Sequence, residues 1–189
     1  MSSDPETEPG LRAALRSAAS ALKSDGVPFA LTGGYALWVH GAPEPTHDVD
    51  FAVPEDEVER AAESLAAAGF EVERPPEDWL FKAHRDGAMV DVLHRLQGHP
   101  VDSLVITASG EQEILGLRIP VMPPTQIMAA KLGSLSEHYC DLAPLLGVAR
   151  AVREQLDWGR LRDEAHDQPF AEAFLLLTDR LGISGPASG

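Results

Sequence analysis

Leu31-Thr-Gly-Gly-Tyr-Ala-Leu-Trp-Val-His-Gly41, followed after Ala42-Pro-Glu-Pro45 by Thr46-His-Asp-Val-Asp-Phe-Ala-Val53, is the stretch on which the reading of this chain turns. It sets the glycine pair Gly33-Gly34 before a predicted helix, Tyr35 to His40, which ends at Gly41. It then sets two carboxylates, Asp48 and Asp50, at strand spacing on a predicted strand from His47 to Val53. Alternate side chains of a strand leave the same face, so both acids point the same way. Neighbouring carboxylates repel each other unless a cation lies between them. A glycine turn opening a helix offers free backbone N–H groups to a phosphate. Phosphate at one end and a divalent metal at the other imply a nucleoside triphosphate (NTP) handled with Mg²⁺.

Working outward, residues 1–9 are acidic and polar and read as a disordered N-terminus. Leu11, Leu15, Ala18, Ala19 and Leu22 fall on one side of a predicted helix over 11–23 that Gly26 stops. Phe29 to Thr32 is a short strand, Glu55 to Ala68 a helix opened by Pro54, and Phe70 to Glu73 another strand. Trp79 to Arg85 and Ala88 to Leu93 are strands joined by Asp86-Gly87, a strong hairpin signal. Leu104 to Thr107 and Leu117 to Val121 are weaker strand candidates. From Pro123 the pattern turns helical, with helices predicted over 125–135, 140–154, 157–164 and 170–181. The expected fold class is α+β: a small mixed sheet with flanking helices over 10–122, a C-terminal helical bundle over 123–182, and a flexible tail over 183–189.

The second hairpin strand contains Met89-Val90-Asp91-Val92-Leu93. An acid inside such an apolar run is costly unless it is paired or binds metal. Set beside Asp48 and Asp50, Asp91 completes a three-carboxylate cluster suited to one or two Mg²⁺ ions. Asp91 is also placed to act as general base for an attacking hydroxyl. The plain alternative, a solvated edge-strand face for Asp48 and Asp50, fits poorly with the apolar Phe51, Ala52 and Val53 that follow.

Composition sets outer bounds. The chain has 189 residues, 44% of them hydrophobic, which suffices for a packed core. No apolar run reaches the roughly 18 residues of a membrane span, so no membrane association is expected. Cys140 is the single cysteine, which excludes an internal disulfide and is expected to be a small packed side chain. A cytoplasmic location is the simplest expectation. Thirty acidic residues against fifteen Lys and Arg give a net charge of −15, a field that repels nucleic acid and attracts cations.

Gly-Gly, a short helix, Asp-x-Asp on a strand and a third Asp on a later strand together resemble the nucleotidyltransferase superfamily that includes DNA polymerase β. Met122-Pro-Pro-Thr-Gln-Ile-Met-Ala-Ala-Lys-Leu132 and Glu137-His-Tyr-Cys-Asp-Leu142 further resemble the C-terminal half of the AbiEii/MenT-type enzymes, toxins of bacterial toxin–antitoxin pairs. The resemblance covers about residues 28–180 and implies a minimal nucleotidyltransferase core followed by the helical bundle. It implies Asp48, Asp50 and Asp91 as catalytic metal ligands. It also implies Gly33, Gly34 and Tyr35 at the nucleotide and Lys131 at the triphosphate, with Asp141 at the position of a following acid. NTP is the implied substrate and Mg²⁺ the cofactor.

Two positions depart from the family pattern. Many members carry Gly-Ser where this chain has Gly33-Gly34-Tyr35. Many also carry an arginine at the position of Glu44. The implied acceptor is RNA, above all the 3′ end of tRNA, with a cognate antitoxin as partner. The net charge favours instead a cationic small molecule, as in aminoglycoside nucleotidyltransferases. The two departures also leave open a nucleotide-binding or interaction module without turnover.

Overall fold

The computed structural model describes residues 7–184, so the expectations for 1–9 and 183–189 fall for the greater part outside the described residues. Two compact units divide the chain. One comprises residues 1–36 and 44–122, the other residues 37–43 and 123–189.

The first unit is built on a sheet flanked by helices. Helix α1 (Thr7–Ser24) leads to strand β1 (Ala30–Thr32), helix α2 (Gly33–Val39) and strand β2 (Val49–Ala52). A 3-10 turn (Glu55–Glu57) and helix α3 (Val58–Ala67) precede strands β3 (Glu71–Glu73), β4 (Leu80–Arg85) and β5 (Ala88–Leu93). Two short strands, β6 (Arg95–Leu96) and β7 (His99–Pro100), then helix α4 (Ser103–Thr107) and strands β8 (Gly110–Ile114) and β9 (Leu117–Val121) complete it. The seven-stranded sheet runs β3-β4-β5-β2-β1-β9-β8. The β2–β5 and β1–β9 neighbours are parallel and the rest antiparallel, which makes the sheet mixed, as the sequence implies.

The predicted apolar stripe of α1 is its buried face. Leu11, Leu15, Ala18, Ala19 and Leu22 are fully buried, and the helix packs on β5, β9 and α3. Each buried leucine contributes on the order of 1.5–3 kcal/mol. Gly26 ends the helix with a left-handed φ of 66°, and Val27 donates back to the Leu22 carbonyl at 3.0 Å. At the other edge, the Arg85 guanidinium donates to Ser17 Oγ at 2.7 Å and to the Ala68 carbonyl at 3.0 Å, tying β4 to both helices. Phe29 meets Phe51 edge-on with ring centroids 5.5 Å apart.

Residues 104–107 are helical, against the expectation of a strand. The Asp102 side chain accepts from the N–H groups of Leu104 and Val105 at 2.9 and 3.0 Å and starts α4. This cap outweighs the strand preference of the β-branched residues. Strand β8 is an addition to the predicted elements. Four of its five residues are exposed, so it carries no apolar alternation. The β8–β9 turn is Leu115-Gly116, with φ of 51° and 77°.

The second unit contains residues 37–43 with helices α5 (Pro124–Gly133), α6 (Leu142–Val152), α7 (Trp158–Glu164) and α8 (Pro169–Arg180). Helix α5 packs on α7 and α8 through a core that includes Ile127, Met128, Leu132, Leu161 and Phe174. Proline stands in the first turn of α5 and of α8, where its missing N–H costs nothing. Gln155 reaches the His40 carbonyl at 2.7 Å, and Thr125 Oγ1 accepts from the Asp157 N–H at 2.9 Å. Cys140 is exposed, not packed as expected, because it sits in the loop before α6. No helix among the described residues is long and apolar enough to cross a membrane.

Candidate functional site

Strand pairing lines up one polar row across the middle of the sheet. Thr32 of β1 faces Asp50 of β2, Asp50 faces Asp91 of β5, and Asp91 faces Lys82 of β4. Residues directly opposite in adjacent strands share a face, so these side chains leave the sheet together. Asp48 stands just before β2, two residues from Asp50, and joins the same face. Asp48, Asp50 and Asp91 each bring a carboxylate oxygen to within 4.8 Å of the others. Asp48 and Asp50 are half-buried, and Asp91 is only 8% exposed.

At such separations a pair of like charges repels by about 4 kcal/mol at an effective dielectric of 20. Oxygen-only donors of this kind suit a hard divalent cation such as Mg²⁺. One cation is already built in. Lys82 Nζ donates to both carboxylate oxygens of Asp91, at 2.9 and 3.1 Å.

The glycine pair is fitted to this cluster. Gly33 has a φ of 61°, and a Cβ there would lie 1.9 Å from Asp50 Oδ2. Any side chain at 33 would therefore displace the carboxylate. At Gly34 a Cβ would meet Pro45 Cβ at 2.8 Å, so the loop leading to β2 can close against α2. Tyr35 is fully buried and donates its hydroxyl to Glu44 Oε1 at 3.1 Å, so its ring offers no open face for a base. Glu44, which stands where the family pattern has an arginine, is gripped by the guanidinium of Arg12 from α1, with Nε donating at 2.7 Å. The Arg12 hydrogen bond holds the Glu44 carboxyl below its ordinary pKa, with help from Tyr35 and against the effect of burial.

The three carboxylates and the glycine pair thus lie in one unit. Lys131 lies in the other, half-buried in the last turn of α5. Asp141 is the N-cap of α6 and accepts from the Ala143 N–H at 3.2 Å, a structural task.

A sequence profile for a family described as uncharacterised nucleotidyltransferase matches residues 7–181. The chain belongs to this nucleotidyltransferase family. No curated protein matches the sequence.

Solved nucleotidyltransferases share its fold. A Thermotoga maritima protein described as a nucleotidyltransferase superposes with a TM-score of 0.54 at 21% identity, over 66% of this chain and 84% of its own. The antibiotic-resistance factor ANT(2'')-Ia gives 0.54 at 14% identity, over 93% and 94%. The lincosamide antibiotic adenylyltransferase LnuA gives 0.50 at 15% identity, over 75% and 94%. The family match is to nucleotidyltransferases as such and does not single out the AbiEii/MenT type.

Two partnerships at the site lay outside the sequence reading. The Lys82–Asp91 pair was accessible in principle. Lys82 is four residues before Asp86 and Asp91 four after Gly87, so a two-residue hairpin turn sets them opposite each other. The Arg12–Glu44 pair had no such signal, because 32 residues separate the partners.

Proposed function

We propose that Asp48, Asp50 and Asp91 form the metal-dependent transfer centre of this nucleotidyltransferase. The convergence of three carboxylates within 4.8 Å, with Asp50 and Asp91 in register on β2 and β5, carries this reading. In the reaction, the oxygen of an acceptor hydroxyl bonds to the α-phosphorus of an NTP. The bond from that phosphorus to the α–β bridging oxygen breaks, and pyrophosphate leaves with the bond's electron pair. The hydroxyl proton passes to a carboxylate, and Asp91 is the candidate base. Asp48 and Asp50, with Asp91 beside them, would hold a divalent ion, which would supply charge neutralisation at the triphosphate. Gly33 and Gly34 bring bare backbone to the nucleotide. Tyr35 acts by holding Glu44 beneath that turn.

For the acceptor, the charge balance favours a cationic small molecule with a free hydroxyl. A surface of −15 concentrates cations and opposes a polyanion. One fold neighbour is a lincosamide antibiotic adenylyltransferase, and another is an antibiotic-resistance factor solved with adenylyl-2''-tobramycin; the likeness to both is one of fold. Transfer to tRNA, with a toxin's role and an antitoxin partner, is the second reading. It rests on the resemblance of residues 122–142, and the capping task of Asp141 accounts for one of its two marker residues without it.

Incubation with Mg²⁺ and each α-labelled NTP, in parallel with an aminoglycoside mixture and with total bacterial tRNA, separates the readings. Label on the small molecules supports the cationic acceptor. Label on tRNA alone overturns that choice in favour of the RNA reading.

A further inference from the structure

Lys82 is the feature of the site that a three-carboxylate metal centre does not require. Its ammonium is on β4, directly across from Asp91, and touches both oxygens of that carboxylate at 2.9 and 3.1 Å. The pair is largely shielded from solvent, with side-chain exposures of 26% for Lys82 and 12% for Asp91. The acid on the other side in the register, Glu73, is engaged with His84 at 2.9 Å, and the remaining close contact of the ammonium is Met89 Sδ at 3.6 Å. Lys82 is therefore committed to Asp91.

The geometry points to Lys82 as a positioning residue that takes the place of a second metal ion, so that the centre holds one tightly bound divalent cation, at Asp48 and Asp50. This inference rests on the transfer centre proposed above. Lys82 already places one positive charge against the three carboxylates, on the side of Asp91. A second divalent ion would have to share Asp91 with a cation already in contact with both of its oxygens. Repulsion between the two charges in a half-buried site opposes this strongly. A Mg²⁺ ion needs only one or two carboxylates when substrate phosphates complete its shell, so Asp48 and Asp50 suffice.

The test is the number of tightly bound Mn²⁺ ions per full-length chain, counted by electron paramagnetic resonance with each of the four α,β-methylene NTP analogues. The wild type is expected to retain one. Lys82→Met is expected to retain two, because Asp91 becomes available to the second ion. Lys82→Arg keeps the positive charge and is expected to stay at one. A merely structural role for Lys82 would not raise the stoichiometry. Two tight ions on the wild type overturn the inference without recourse to any variant, as does a Lys82→Met protein that stays folded and retains one. No tight ion on the wild type with any of the four analogues overturns the transfer centre as well, so the two failures are distinguishable.

Discussion

Gly33 shows how one residue constrains the position of its neighbours. Its positive φ and the 1.9 Å approach that a Cβ would make to Asp50 leave room for hydrogen alone. Gly33→Ala should cost on the order of 1–2 kcal/mol from the left-handed backbone. It should also push the Asp50 carboxylate away from Asp48 and Asp91. The expected outcome is a folded protein by circular dichroism with a lowered Tm and transfer reduced by about 100-fold or more. Normal activity in that variant would show that the position of Asp50 is not critical. Asp48, Asp50 and Asp91 were legible as a set because an acid inside an apolar strand is costly without a partner. Their shared face follows from strand periodicity. The Arg12 grip on Glu44 was not legible, since a contact across the fold depends on tertiary packing that local pattern does not encode.

Among the elements, those with a clear period or a specific turn were readable. The α1 stripe and the Asp86-Gly87 hairpin are examples, and the hairpin turn has both residues at positive φ, 51° and 79°. Elements set by side-chain caps or by edge pairing were not. Helix α4 follows from Asp102, against the strand preference of its Leu104-Val-Ile106 run, and strand β8 follows from its pairing with β9 without an apolar signal of its own. Asp102→Ala should remove the cap and cost about 0.5–2 kcal/mol. Urea unfolding is the check, with loss of amide protection at Leu104 and Val105. Unchanged protection would mean that α4 is held by packing instead of by its cap.

At the scale of the whole molecule, the family match over residues 7–181 is the broadest result, and the Asp-x-Asp constellation with its third Asp had pointed there. The fold as a whole also contains a pH dependence. Burial holds His94, after β5, below its ordinary pKa of 6.5, against the opposing pull of Glu55. Its neutral form is therefore favoured in the folded state. Well above pH 6.5 neither folded nor unfolded chain is protonated there and stability is unaffected. As pH falls below 6.5 the unfolded chain takes up the proton first, and stability declines until the lower folded pKa is passed. His94→Gln should flatten this decline in thermal melts taken as pH falls below 6.5. An unchanged slope would assign the acid sensitivity to other groups.

The most direct test of the transfer centre compares α-labelled with γ-labelled NTP in the wild type and in Asp50→Asn, with Mg²⁺ and the acceptor that takes label. Asn keeps the shape of Asp50 and removes its charge. Incorporation of the α label only is expected, with a loss of about 100-fold or more in a folded Asp50→Asn protein. Undiminished incorporation by Asp50→Asn would contradict a transfer centre built on these carboxylates.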